Sequence, residues 1–184
     1  MRIDKLLEKI SEWSTSECLV AHGMSYRYGE LHERYEQWTR ELAQRAIPPG
    51  AVVGLRTDYS FDAIGLFLAL LAHRCIVALI PPGVIDAQHY LAEGQIESWF
   101  HLQDDGSWVW KSCNRNANHT LIQQLQQENA AGFLLFSSGS TGKPKAVLHS
   151  LERFLSKYDA PGKPLRTLGF LLFDHVAGID TLFY

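Results

Sequence analysis

The sequence has 184 residues, 46% of them hydrophobic and 20% charged, which is material for one folded domain with a substantial core and argues against extended disorder. Its 17 basic and 20 acidic side chains leave a formal charge of −3 with no basic runs, so nucleic acid is a poor candidate partner. Cys18, Cys75 and Cys113 are odd in number, far apart and free of Cys-x-x-Cys spacing, which reads as reduced thiols.

The N-terminus leads into an amphipathic segment rather than an apolar signal core, and the apolar runs break before the roughly 18 residues a membrane span needs. A cytoplasmic protein without a transmembrane segment is expected. The 8 histidines show no paired metal-ligand spacing, so no metal ligands from protein side chains are expected.

In chain order, Ile3, Leu6, Leu7 and Ile10 mark one face of a short helix, broken at Ser14-Thr15-Ser16. Residues 18–21 and 24–26 read as a small hairpin around His22-Gly23. Leu31, Tyr35, Trp38 and Leu42 recur at helical spacing and predict a helix over 29–46, with the aromatics facing a core. Pro48-Pro49-Gly50 stops it.

A buried strand over 51–55, a helix apolar nearly all round over 60–72, and a strand over 75–80 closed by Pro81-Pro82-Gly83 then follow. Helix and strand alternating with short links is the pattern of βαβ units around a parallel sheet. A short helix over 86–93 ends at Gly94; residues 99–102 and 108–110 flank an Asp105-Gly106 turn as a hairpin; Leu121, Ile122 and Leu125 lie on one helical face.

Gly132-Phe133-Leu134-Leu135 is an apolar strand, and Ala146-Val147-Leu148 is another. Between them runs Phe136-Ser137-Ser138-Gly139-Ser140-Thr141-Gly142-Lys143-Pro144-Lys145. Hydroxyl donors and two glycines let successive amide N–H groups converge on one anion, with two lysines at the exit. A Walker A loop is the obvious competitor, yet Ser137 stands where its first glycine belongs, and Pro144 lacks the magnesium-binding hydroxyl. Pro144 also drives Lys143 towards extended backbone, so a loop between strands is favoured over a helix start.

Further on, Ser150 can cap a helix through Tyr158 that Pro161-Gly162-Lys163-Pro164 ends, and residues 168–173 read as a strand presenting Asp174-His175-Val176-Ala177-Gly178. Residues at the carboxyl end of a strand in an open α/β sheet are well placed for ligands. Residues 178–184 read as the first turn of another helix.

The glycine-serine run resembles the signature loop of the adenylate-forming (ANL, AMP-binding) superfamily, which includes acyl-CoA synthetases, peptide-synthetase adenylation domains and firefly-type luciferases. That pattern reads Thr/Ser-Ser/Thr-Gly-Ser/Thr-Thr-Gly-x-Pro-Lys-Gly, and Ala146 departs from it where glycine is usual. Residues 25–31 and 70–82 resemble two earlier blocks of the superfamily, the second with His73 and Arg74 in a small-residue region. Asp174 to Gly178 resembles its acyl-pocket segment.

The resemblance implies an α/β fold, a layered doubly wound sheet forming the N-terminal portion of the large domain. Residues 1–130 would be a βα-rich subdomain, and 131–184 the phosphate loop and the start of the acyl pocket. The implied activity is that of an acyl-CoA synthetase-like, ATP-dependent ligase converting a carboxylate and ATP to an acyl adenylate and pyrophosphate, followed by thioester formation.

The implied ligands are ATP with Mg2+, a carboxylic acid, and coenzyme A or a phosphopantetheine carrier as acceptor. Ser137, Ser138, Gly139, Ser140, Thr141, Gly142 and Lys145 would hold phosphate, with Thr141, Lys145 and His175 in catalytic roles and His175 and Gly178 lining the substrate. The superfamily's later adenine, ribose and catalytic-lysine motifs are absent from the sequence, so a truncated chain, inactive alone and completed in cis or in trans, is expected. Half of a split enzyme and a noncatalytic nucleotide- or partner-binding module are the alternatives.

Overall fold

The computed structural model of the chain describes residues 3–103, 105–138, 143–159 and 165–184. The helical spacing of Ile3, Leu6, Leu7 and Ile10 lays α1 (Ile3–Glu12) against the core by that face. β1 (Glu17–Ala21) and β2 (Met24–Arg27) form a separate antiparallel hairpin whose tip residues, His22 and Gly23, both have positive φ. Two such residues match the right-handed strand twist across a tight turn.

α2 (Tyr28–Gln44) starts where the Arg27 amide donates to Glu30 Oε2 at 2.7 Å, and it buries Leu31, Trp38 and Leu42. α3 (Phe61–Ala72) begins at Ser60, whose Oγ accepts from the Ala63 amide at 3.0 Å. Nine of its residues are buried, which explains its lack of a polar stripe: α2 covers its outer side and the sheet its inner side.

Six strands form the main sheet in the order β6-β5-β3-β4-β7-β8. β3 (Val52–Arg56), β4 (Ile76–Ile80), β5 (Ser98–Leu102) and β7 (Gly132–Ser138) run parallel in the centre. β6 (Trp108–Ser112) and β8 (Pro144–Ser150) pair antiparallel to β5 and β7 at the two edges. Strands from both sides of residue 130 thus share one sheet.

On one face, Val53, Leu55, Val77, Leu79, Phe133 and Leu135 pack against α1, α2, α3, α6 (Leu151–Leu155) and α7 (Val176–Phe183). On the other, Val52, Ile76, Ala78, Ile80 and Leu134 pack against α4 (Gln88–Glu93) and α5 (Thr120–Gln127). This is the doubly wound α/β layering that the resemblance implies, with the parallel centre expected from the alternating helices and strands. A strand covered on both faces has no solvent side, so β3 and β4 read as continuous apolar runs.

Two expectations need correction. Residues 168–173 form no strand: Leu168 is 83% exposed, Phe170 is 75% exposed, and Phe173 alone in that run is buried. The sheet ends at β6 and β8, neither of which pairs with this run, so its backbone has no ladder to join. The helix expected through Tyr158 is α-helical only to Leu155 and tightens into a 3-10 turn over Ser156–Tyr158. The expected stop at Pro161 to Pro164 lies outside the described residues.

Candidate functional site

β7 leaves the interior as it runs: Phe133, Leu134 and Leu135 are buried, Phe136 is half-buried and Ser137 is exposed. β8 returns in unbroken register from Ser138 opposite Pro144 to Gly132 opposite Ser150. Pro144 has no N–H to donate, and an edge strand tolerates that. The ladder sets Ser137 directly across from Lys145, both exposed, at the carboxyl end of the parallel strands. Gly139, Ser140, Thr141 and Gly142 lie outside the described residues.

The base of this hairpin is held from both faces. On one, the Tyr90 ring of α4 meets Phe136 edge-on at 4.9 Å, and the Ala146 amide donates to Glu93 Oε1 at 3.5 Å. On the other, His149 of β8 stacks on Phe133 at 5.0 Å, with Phe154 of α6 edge-on to Phe133 at 5.1 Å. Burial lowers the His149 imidazole from its ordinary value, so it is neutral near pH 7.

The second group of expected residues opens α7. Phe173 sits 5.2 Å from Phe67 of α3 and 4.8 Å from Tyr59. Asp174, only 9% exposed, accepts from His175 Nδ1 at 3.0 Å, while the His175 side chain is 62% exposed. With Nδ1 engaged, Nε2 is left for any further partner. A Cβ on Gly178 would lie 2.0 Å from the Leu172 carbonyl oxygen, so glycine is what lets the incoming chain cross the first turn of α7 this closely.

Tyr59 follows the end of β3 by three residues and ties this segment to the sheet, its hydroxyl donating to the Gly178 carbonyl. β3 and β7 flank β4, and neighbouring strands lie about 4.8 Å apart, so their carboxyl ends are about 10 Å apart. Ser137, Lys145 and the Asp174 to Gly178 segment therefore meet the same end of the sheet. Sequence reasoning missed Tyr59, although an aromatic just beyond a parallel strand occupies a ligand-proximal position in such sheets.

Other features point elsewhere. Shallow concavities of about 280 Å³ between α4 and the β5–β6 pair, and about 330 Å³ between α2 and Trp108, share no residue with either group. Among the described residues, no cluster of three histidine, cysteine or acidic side chains could hold a metal ion, and no helix is long and apolar enough to cross a membrane.

Comparison with known proteins points one way. No family profile matches the chain. Tyrocidine synthase 3 of Brevibacillus parabrevis is 27% identical over 157 residues, 78% of this chain, and bacitracin synthase 3 of Bacillus licheniformis is 28% identical over 146 residues, 71% of it. Phosphinothricin tripeptide synthetase PhsB of Streptomyces viridochromogenes is 26% identical over 69% of the chain. The chain spans 12% of PhsB and 2% of each of the other two.

Among solved structures, the N-terminal domain of FACL13 from Mycobacterium tuberculosis superposes with a TM-score of 0.73 at 16% identity, covering 99% of this chain and 54% of that one. The N-terminal subdomain of Klebsiella oxytoca NpsA, in complex with 3-hydroxyanthranilyl-AMSN, gives 0.61 at 19% identity, covering 81% of this chain and 40% of that one.

Proposed function

We propose that this chain, an adenylate-forming (ANL) superfamily sequence with the fold of that superfamily's N-terminal subdomain, supplies the phosphate-holding part of an ATP-dependent carboxylate-activating ligase. The observation that carries this reading is the unbroken β7–β8 ladder, which sets Ser137 across from Lys145 at the mouth of the Ser137 to Lys145 motif. The donors and the charge suit a polyphosphate: hydroxyl and amide donors supply the hydrogen bonds, and Lys145 supplies a cation.

ATP would enter with its magnesium and provide the electrophilic α-phosphorus and the pyrophosphate leaving group. The chain's own part is positioning and charge stabilisation. In the proposed assignment Ser137, Ser138, Ser140, Thr141 and the amides of Gly139 to Gly142 hold the phosphates, and Lys145 offsets the charge that develops on pyrophosphate. His175 and Gly178 border the carboxylate. The peptide-synthetase relatives favour an amino-acid-like carboxylate. The likeness to NpsA–ThdA, an artificially fused adenylation–PCP di-domain, favours phosphopantetheine on a carrier over coenzyme A as acceptor.

Turnover would need the rest of such an enzyme, in cis or in trans. Calorimetric titration of MgATP and of pyrophosphate into the 184-residue chain tests the reading. Binding is expected, and Lys145→Ala should weaken it about 10- to 100-fold, the worth of one charge-assisted bond. The chain alone is expected to give no carboxylate-dependent exchange of labelled pyrophosphate into ATP. Absence of any binding would overturn the assignment; binding that Lys145→Ala leaves untouched would remove Lys145 from the phosphate site.

A further inference from the structure

A side chain as exposed as His175 gets little orientation from packing of its own. Its placement has to come from the Asp174 carboxylate and from the backbone on either side. The run before it, residues 165–172, is largely exposed and gives little support. What fixes the segment is Phe173, buried against Phe67 and Tyr59, and the first turn of α7.

Tyr59 reaches both flanks of the Asp174–His175 pair. Its ring packs on Phe173 on one side, and its hydroxyl donates to the Gly178 carbonyl on the other. Tyr59 is itself pinned: its amide donates to Asp58 Oδ1 at 2.7 Å, between the end of β3 and the Ser60 cap of α3. Burial raises the phenol above its ordinary value, so it stays a protonated donor through the neutral range.

We propose that Tyr59 is a positioning residue for His175, holding the Asp174–His175 pair in fixed register with the carboxyl end of β3 through its bond to Gly178. The inference rests on the assignment of His175 to the carboxylate site. It adds the device that sets where the imidazole lies. A hydroxyl bonded to a main-chain carbonyl constrains the first turn of α7 without touching substrate, so it acts on His175 by placement alone.

Tyr59→Phe in the whole 184-residue chain tests this, because it keeps the ring on Phe173 and removes the hydroxyl. The ring nitrogens of His175, followed by 15N NMR, should lose the single Nδ1–H···Asp174 state. Amide exchange over residues 175–179 should accelerate at least tenfold, while the thermal midpoint stays within a few degrees. A merely structural tyrosine would leave the His175 ring signals as in the unmodified chain, and that result overturns the proposal.

If Tyr59→Phe fails to fold, 3-fluorotyrosine at position 59 keeps the ring and makes a stronger donor. The Gly178 carbonyl carbon and the His175 nitrogens should then both shift; no shift in either overturns the proposal. These readouts do not involve nucleotide. Unmoved His175 signals in a chain that binds MgATP would sink the inference alone, and moved signals in a chain that binds none would sink only the functional assignment.

Discussion

β4 and the run from Leu168 to Phe173 have similar compositions and different fates. Both are short apolar runs, β4 closed by Pro81 and the second by Asp174, and both satisfy the sequence rule for a buried strand. β4 lies between β3 and β7 with Ile76, Val77, Ala78, Leu79 and Ile80 all buried. In the second run the backbone pairs with no strand of either sheet, and only Phe173 is buried. A continuous apolar run is a demand for cover on two faces; it becomes a strand only where neighbours on both sides meet that demand.

The largest expected effect tests the covered member of the pair. Leu79 is 1% exposed between the sheet and its helices, so Leu79→Ala should cost about 2–5 kcal/mol, the range for truncating a buried leucine. Urea unfolding followed by circular dichroism should show a lower midpoint at an unchanged slope. A cost below about 1 kcal/mol would mean that the centre of the sheet is loosely packed and that the contrast with residues 168–173 is one of degree.

The same contrast explains what could be read in the sequence. β3, β4 and β7 were legible because parallel strands buried on both faces announce themselves as apolar runs, and α3 because a helix under another helix has no polar stripe. The hairpin that carries the candidate phosphate loop was legible from two apolar runs around a polar motif, and the ladder extends it from Gly132 to Ser150. Residues 168–173 misled, since periodicity is silent on whether a neighbouring strand exists.

Tyr59 escaped for a related reason: its value lies in a contact to Gly178, 119 residues away, that no local pattern encodes. Arg74 shows the same limit from the other side. It stands in the region where the superfamily pattern has small residues, and its φ of +63° is the left-handed backbone that favours glycine. Its guanidinium donates to the Asn129 carbonyl at 2.6 Å, a compensation that sequence spacing cannot reveal.

A smaller effect should appear with pH, again on the covered side. Burial against Phe133 and Phe154 lowers the His149 imidazole below 6.5, so in the acidic range the unfolded chain binds a proton more readily than the folded one. Stability should therefore fall as pH drops below 6.5 and level off below the folded-state value. His101 is shifted the same way, by burial and by Arg56 and Lys111. Glu17 and Asp180, whose carboxyls are held low, lose their contributions only at lower pH, below their unfolded values of 4.5 and 3.8. His149→Phe should leave a shallower slope between pH 6.5 and 5 in urea midpoints; an unchanged slope would assign the effect to His101.

The smallest effect belongs to the uncovered run, and it is the sharper test because the sequence argues for the opposite outcome. Were Leu168 in a buried strand, as its neighbours' composition suggests, Leu168→Ser would remove an apolar side chain from the core and bury a hydroxyl, costing several kcal/mol. Being 83% exposed, it should shift stability by no more than about 0.5 kcal/mol, as surface substitutions do. Paired urea curves for Leu79→Ala and Leu168→Ser measure the difference directly. A Leu168→Ser cost above 1 kcal/mol would show that the run finds cover in solution, and that its strand-like composition is being honoured by a partner surface after all.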